Sequence, residues 1–144
     1  MKKLLLVNLL SLFVGLAYAG NLSYGWYQNS NKDIQLSIVN NTKSSDMQVK
    51  SVKINVGDNI CLDQKNSFSL MPGQSMPEQV LKLSNCFMLK PKAKFVGVTD
   101  EPDSLALMTT TSLVAKDIEV TINYTQNGFN MQKDAYFTLL FLKK

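Results

Sequence analysis

The residues Ile118-Glu119-Val120-Thr121-Ile122-Asn123-Tyr124 alternate strictly between apolar and polar, and Asn127-Gly128 follows just before Phe129. A period of two sends successive side chains to opposite faces of an extended chain, so one face is built for burial and the other for water. Asn-Gly suits a two-residue type I′ turn, whose central residues both need positive φ. A β-hairpin is expected here. The same period recurs in Ile34-Gln35-Leu36-Ser37-Ile38 and in Val52-Lys53-Ile54-Asn55-Val56, each ended by a turn-forming run, at residues 40–46 and 57–59.

Shorter extended segments are expected at residues 60–62, 67–70, 79–83, 86–89 and 95–98, while residues 105–108 fit either a strand or one helical turn. Met71-Pro72-Gly73-Gln74 predicts a type II turn, with Pro presetting φ and Gly accepting a positive one. Lys133-Asp134 is expected to turn or bulge the chain before residues 136–142, which are apolar on both faces and predict a central or doubly covered strand. About seven to nine short strands without a convincing helix define an all-β chain, an antiparallel immunoglobulin-like β-sandwich. A small closed β-barrel is the alternative.

The N-terminus reads as an address. Lys2 and Lys3 precede an apolar stretch at residues 4–16, and Ala17-Tyr18-Ala19 offers small residues at the −3 and −1 positions of a cut before Gly20. That order is a secretory signal peptide, residues 1–19. Its apolar part falls short of the roughly 20 residues that cross a bilayer, so no stable membrane span is expected after cleavage. Residues 20–144 then form a single β-sandwich domain in the periplasm or outside the cell. Loss of Lys2 and Lys3 brings the formal charge from +4 to +2. Export also places Cys61 and Cys86, the chain's two cysteines, in an oxidising compartment, where a lone pair joins. One disulfide, Cys61–Cys86, is expected.

Histidine is absent and all 15 basic side chains are lysines. The usual Ser-His-Asp and Cys-His nucleophile pairs are therefore excluded, as are imidazole metal ligands. Without Arg there is no bidentate fork for phosphate or guanine, so no nucleic-acid partner is expected. Asp100, Glu101 and Asp103 lie close enough in sequence to suggest a calcium loop or an acid and base pair, but they lack the D-x-[DN]-x-[DN]-G spacing. No metal, cofactor or catalytic residue is assigned. The aromatic group Tyr24, Trp26 and Tyr27 is the candidate partner-binding set, with core packing as the other reading. Asn21, Asn40 and Asn123 each begin an N-x-[ST] pattern.

Residues 34–56, together with Phe68-Ser69-Leu70-Met71-Pro72-Gly73-Gln74-Ser75, resemble the pattern of periplasmic immunoglobulin-like domains such as those of pilus chaperones. Those proteins have two such domains and hold a carboxylate with an Arg and a Lys, so chaperone function does not carry over to a one-domain chain without Arg. Pilin-like subunits are similar too, being exported single-disulfide β-sandwiches, although this chain ends Phe141-Leu142-Lys143-Lys144 without their penultimate Tyr. The expectation is a non-enzymatic exported protein that binds another protein or an envelope or extracellular component through a surface. A pilin-like subunit completed by strand addition and a small carboxylate-dependent hydrolase are the alternatives.

Overall fold

A computed structural model describes residues 16–19, 21–99 and 113–142. Among these, the strands in chain order are β1 (Leu16–Ala19), β2 (Leu22–Gln28), β3 (Ile34–Asn40), β4 (Met47–Val56), β5 (Asn59–Gln64), β6 (Phe68–Leu70) and β7 (Gln79–Leu81). One helical turn, α1 (Leu83–Cys86), precedes β8 (Lys94–Thr99), β9 (Leu113–Gln126) and β10 (Phe129–Leu142). Sheet A has the order β1-β2-β3-β7, and sheet B the order β5-β4-β9-β10-β8 with β6 also paired to β4. Every pairing is antiparallel. The two sheets pack face to face as a β-sandwich; neither closes into the alternative barrel.

The alternation read from the sequence is what builds the core. Tyr24 and Trp26 on β2 and Ile34, Leu36 and Ile38 on β3 meet Val52 and Ile54 on β4, Val120 and Ile122 on β9, and Leu139 and Phe141 on β10, all of them buried in one cluster. Burying a side chain of this size contributes roughly 1.5–3 kcal/mol relative to leaving it exposed. The turns follow their chemistry. Asn127 and Gly128 take φ of 53° and 82°, as a type I′ hairpin requires. Gly73 takes φ 80° while the Gln74 N–H donates to the Met71 carbonyl at 2.9 Å, closing the type II turn.

Three expectations are corrected. Residues 133–134 neither turn nor bulge: β10 pairs with β9 without a register shift from Phe129↔Gln126 to Leu142↔Leu113. Both strands are 14 residues long. Register shifts lie elsewhere: in β10 against β8 between Leu140 and Phe141, in β4 against β5 between Ile54 and Asn55, and in β4 against β9 between Val49 and Ser51, where the buried series passes from Met47 and Val49 to Val52, Ile54 and Val56. The second correction shortens the strand expected at residues 79–83 to β7, because Leu83 already belongs to α1.

The third concerns residues 86–89, which are not a strand. The Cys86 N–H donates to the Lys82 carbonyl at 2.9 Å and the Phe87 N–H to the Leu83 carbonyl at 3.2 Å, which makes one helical turn. Met88 then adopts φ 55°, and the Leu89 N–H reaches back to the Leu83 carbonyl at 3.0 Å, the left-handed stop common at helix C-termini. Residues 87–93 continue as a strap from α1 to β8. Phe87 plugs the end of the core with its ring centroid 5.3 Å from that of Phe141, which also meets Phe95 at 5.6 Å.

The end of β10 is buried on both faces: Leu139, Leu140 and Phe141 are fully buried in succession, between β9 and β8. This agrees with the doubly apolar pattern of residues 136–142. β1 belongs to the expected leader, and its backbone pairs with Leu22, Ser23, Tyr24 and Gly25 of β2.

Candidate functional site

β2 brings two of the three N-terminal aromatic residues inward. Tyr24 and Trp26 are fully buried, their rings 5.2 and 5.4 Å from that of Phe137 across the sandwich. Tyr27 lies on the opposite face of the strand, opposite Gln35, and is half-buried, so it alone of the three has open surface. The Tyr24 hydroxyl and Trp26 Nε1 find no hydrogen-bond partner among the described residues. Burial, followed by the charges of Tyr124 and Asp134, pushes the Tyr24 phenol far above its ordinary pKa.

Cys61 on β5 and Cys86 at the end of α1 stand side by side as thiols. Burial, then the hydrogen bond and charge of Cys86, pushes the Cys61 thiol upward, which keeps it protonated and weakly nucleophilic. The Asn59 side chain donates to the Asn85 carbonyl at 3.2 Å, a second tie between the same two elements. β5 is an edge strand of sheet B, and α1 holds it at this point.

Only some of the carboxylates belong to the described residues. Asp100, Glu101 and Asp103 lie outside them. Asp58 is exposed in the β4–β5 turn and Asp63 is exposed on β5. Asp33 accepts a 2.9 Å ion pair from Lys82. Among the described residues no group of His, Cys, Asp or Glu could hold a metal ion, and no helix is long and apolar enough to cross a membrane.

All three asparagines of the N-x-[ST] patterns have structural work. Asn40 Nδ2 donates to the Ser45 and Leu70 carbonyls at 2.9 and 3.0 Å, and its Oδ1 accepts from Thr42 N–H and Oγ1 at 3.0 and 2.7 Å. Asn123 Nδ2 donates to Ser51 Oγ at 2.9 Å and Asn21 Nδ2 to Gln126 Oε1 at 2.7 Å. A glycan on Asn40 Nδ2 would take one of the two hydrogens that it donates to Ser45 and Leu70. Gln28 carries no signal in the sequence, yet it joins the sheets: its Nε2 donates to the Ala93 carbonyl at 3.0 Å and its Oε1 accepts the Phe95 N–H at 3.1 Å.

Surface features gather at the β9–β10 turn. Two open hollows lie there, one of about 350 Å³ lined by Lys50, Asn123, Tyr124, Asn130, Met131 and Gln132. The other, of about 270 Å³, is bordered by Met47, Gln48, Leu70, Met71, Thr125 and Asn127 among others. Phe129 is 70% exposed and Met71 64% exposed. Phe129 and Met131 sit in the inward register of β10, opposite Gln126 and Tyr124, but at the hairpin tip they are exposed. Sequence alternation assigns them to the core; only the reach of the hairpin decides otherwise.

Comparison with protein-family models and with curated proteins finds no match.

Proposed function

We propose that the protein is exported, loses residues 1–19, closes the Cys61–Cys86 disulfide, and acts without catalysis through the surface at the β9–β10 turn. The observation that carries this reading is the exposure of Phe129, Met131 and Met71 beside two open hollows with mixed polar and apolar lining. Large apolar side chains exposed together within a polar rim are the composition of a contact surface. The partner is another protein or an envelope or extracellular component. Affinity capture from the producing cells, with the wild-type protein and a Phe129→Lys variant, tests it. A partner retained by the wild type and lost by the variant is expected; the same proteins retained by both would overturn the reading.

A second reading has its own observation. β1 covers β2 from Leu22 to Gly25, so removal of the leader would uncover four residues of strand edge. β2 carries no charged residue and no proline, the usual defences of an edge. A strand from a neighbouring subunit would fit this edge by β-augmentation, as in pilin-like assembly. Processed protein that forms concentration-dependent oligomers supports this reading, and a monomer at every concentration refutes it.

A further inference from the structure

Lys90, Lys92 and Lys94 alternate in one short run of the sequence, and the fold sets that run at the end of sheet B opposite the hairpin turn. The strap carries Lys90 and Lys92, both exposed, and leads into the exposed Lys94 at the start of β8. Lys94 pairs with Leu142, the last residue of β10. Residues 86–99 contain no acid. Acids at this end lie toward other strands: Asp58 is in the β4–β5 turn, and Asp117 on β9 accepts the Thr138 hydroxyl at 2.9 Å. Lys82 shows the contrast, because its charge is used internally against Asp33, whereas Lys90, Lys92 and Lys94 have no ion pair among the described residues.

The same end exposes apolar side chains. Met88 is 74% exposed at a left-handed position, held there by the bond from Leu89 to the α1 carbonyl, and Leu142 is 37% exposed beside Lys94. Phe87 anchors the strap from below, so the strap presents Met88 and its lysines from a fixed base.

We propose that this basic, Met-tipped strap docks the protein on an anionic phospholipid bilayer. The inference adds a second surface to the one at the hairpin turn and places it at the far end of the sandwich. Charge complementarity selects the occupant: compact lysine ammonium groups suit an array of lipid phosphates, and each one near an anionic surface adds attraction that salt screens. The apolar tips select a bilayer over a polyanionic glycan or nucleic acid, because only the bilayer offers an apolar interior beneath its charged heads. Methionine, unbranched and flexible, adapts to such a boundary.

The test is co-sedimentation of the protein, as recovered from producing cells, with vesicles of phosphatidylcholine alone and of equal parts phosphatidylcholine and phosphatidylglycerol. Binding to the anionic vesicles only, weakening as salt rises, is expected. The variant K90Q/K92Q/K94Q should bind roughly a hundredfold more weakly, and Met88→Ser several-fold more weakly at every salt concentration. A control, K43Q/K53Q/K65Q, makes the same charge change in the β3–β4 loop, on β4 and in the β5–β6 loop, away from both surfaces, and should keep most of the binding. Thermal unfolding of each variant checks that it is folded, and every substituted lysine is exposed. Equal binding to both vesicle types, or equal loss in the control, would overturn the proposal. So would capture of an acidic protein through the strap lysines without vesicle binding. That failure is separable from failure at the hairpin turn, which the Phe129→Lys capture reads on its own.

Discussion

Phe129 and Phe141 occupy the same strand and the same inward register, one at each end of β10, yet Phe129 is 70% exposed while Phe141 is fully buried. The difference lies in what covers them. At the strap end, Phe87 and Phe95 close over Phe141; at the hairpin end, β9 and β10 run on to a turn that leaves Phe129 open. Periodicity alone therefore chooses a face, and the length and placement of neighbouring elements choose burial.

The largest expected effects sharpen that contrast. Phe141→Ala should destabilise the protein by about 3–5 kcal/mol through lost burial and a residual cavity, whereas Phe129→Ala should change stability by less than about 0.5 kcal/mol. Urea unfolding of the two variants measures both; similar costs would break the comparison. Next in size is the proposed Cys61–Cys86 disulfide at the strap end. Cys61→Ser should cost roughly 3 kcal/mol in oxidised protein and much less once the wild type is reduced, since a closed loop of this length constrains the unfolded chain.

Backbone conformation at the two ends predicts smaller changes of opposite sign. Gly128 in the hairpin turn has φ 82°, and a Cβ added there would meet nothing within 4 Å, so Gly128→Ala should cost about 1–2 kcal/mol by backbone strain alone. Met88 in the strap has φ 55°, and Met88→Gly should stabilise by up to about 1 kcal/mol. Thermal unfolding distinguishes them. Between the ends, Tyr24→Phe removes a buried hydroxyl that has no partner among the described residues and should gain on the order of 1 kcal/mol.

The same substitution has a pH signature. Burial raises the Tyr24 phenol above the ordinary 10.0, so its contribution is intact below pH 10 and is lost as the pH climbs above it, where the unfolded chain releases the proton and the folded chain keeps it. Tyr24→Phe should flatten that alkaline loss, measured as urea midpoint against pH.

Much of the sandwich is legible because its strands repeat a simple period: β3, the second half of β4 and the β9–β10 hairpin alternate openly, and Gly73 and Gly128 mark turns by chemistry. α1 escapes such a reading although Leu83, Cys86 and Phe87 carry helical spacing, because a single turn is too short for periodicity to distinguish it from a strand. The bulge in β4 is hidden because an extra residue changes parity without a turn signal. Tyr24 and Trp26 are legible as one face of a strand, but whether that face meets a second sheet or a partner depends on Phe137, over a hundred residues away. The grouping of Lys90, Lys92 and Lys94 with the end of β10 requires the β8–β10 pairing, which no local pattern encodes.

The most direct test of an exported, disulfide-closed sandwich is the intact mass of the protein recovered from the envelope fraction and medium of producing cells, before and after reduction and alkylation. The account predicts a chain that begins at Gly20, lacks the two thiol hydrogens, and takes up two alkyl groups only after reduction. A full-length chain, or a processed one whose Cys61 and Cys86 alkylate without reduction, would contradict it.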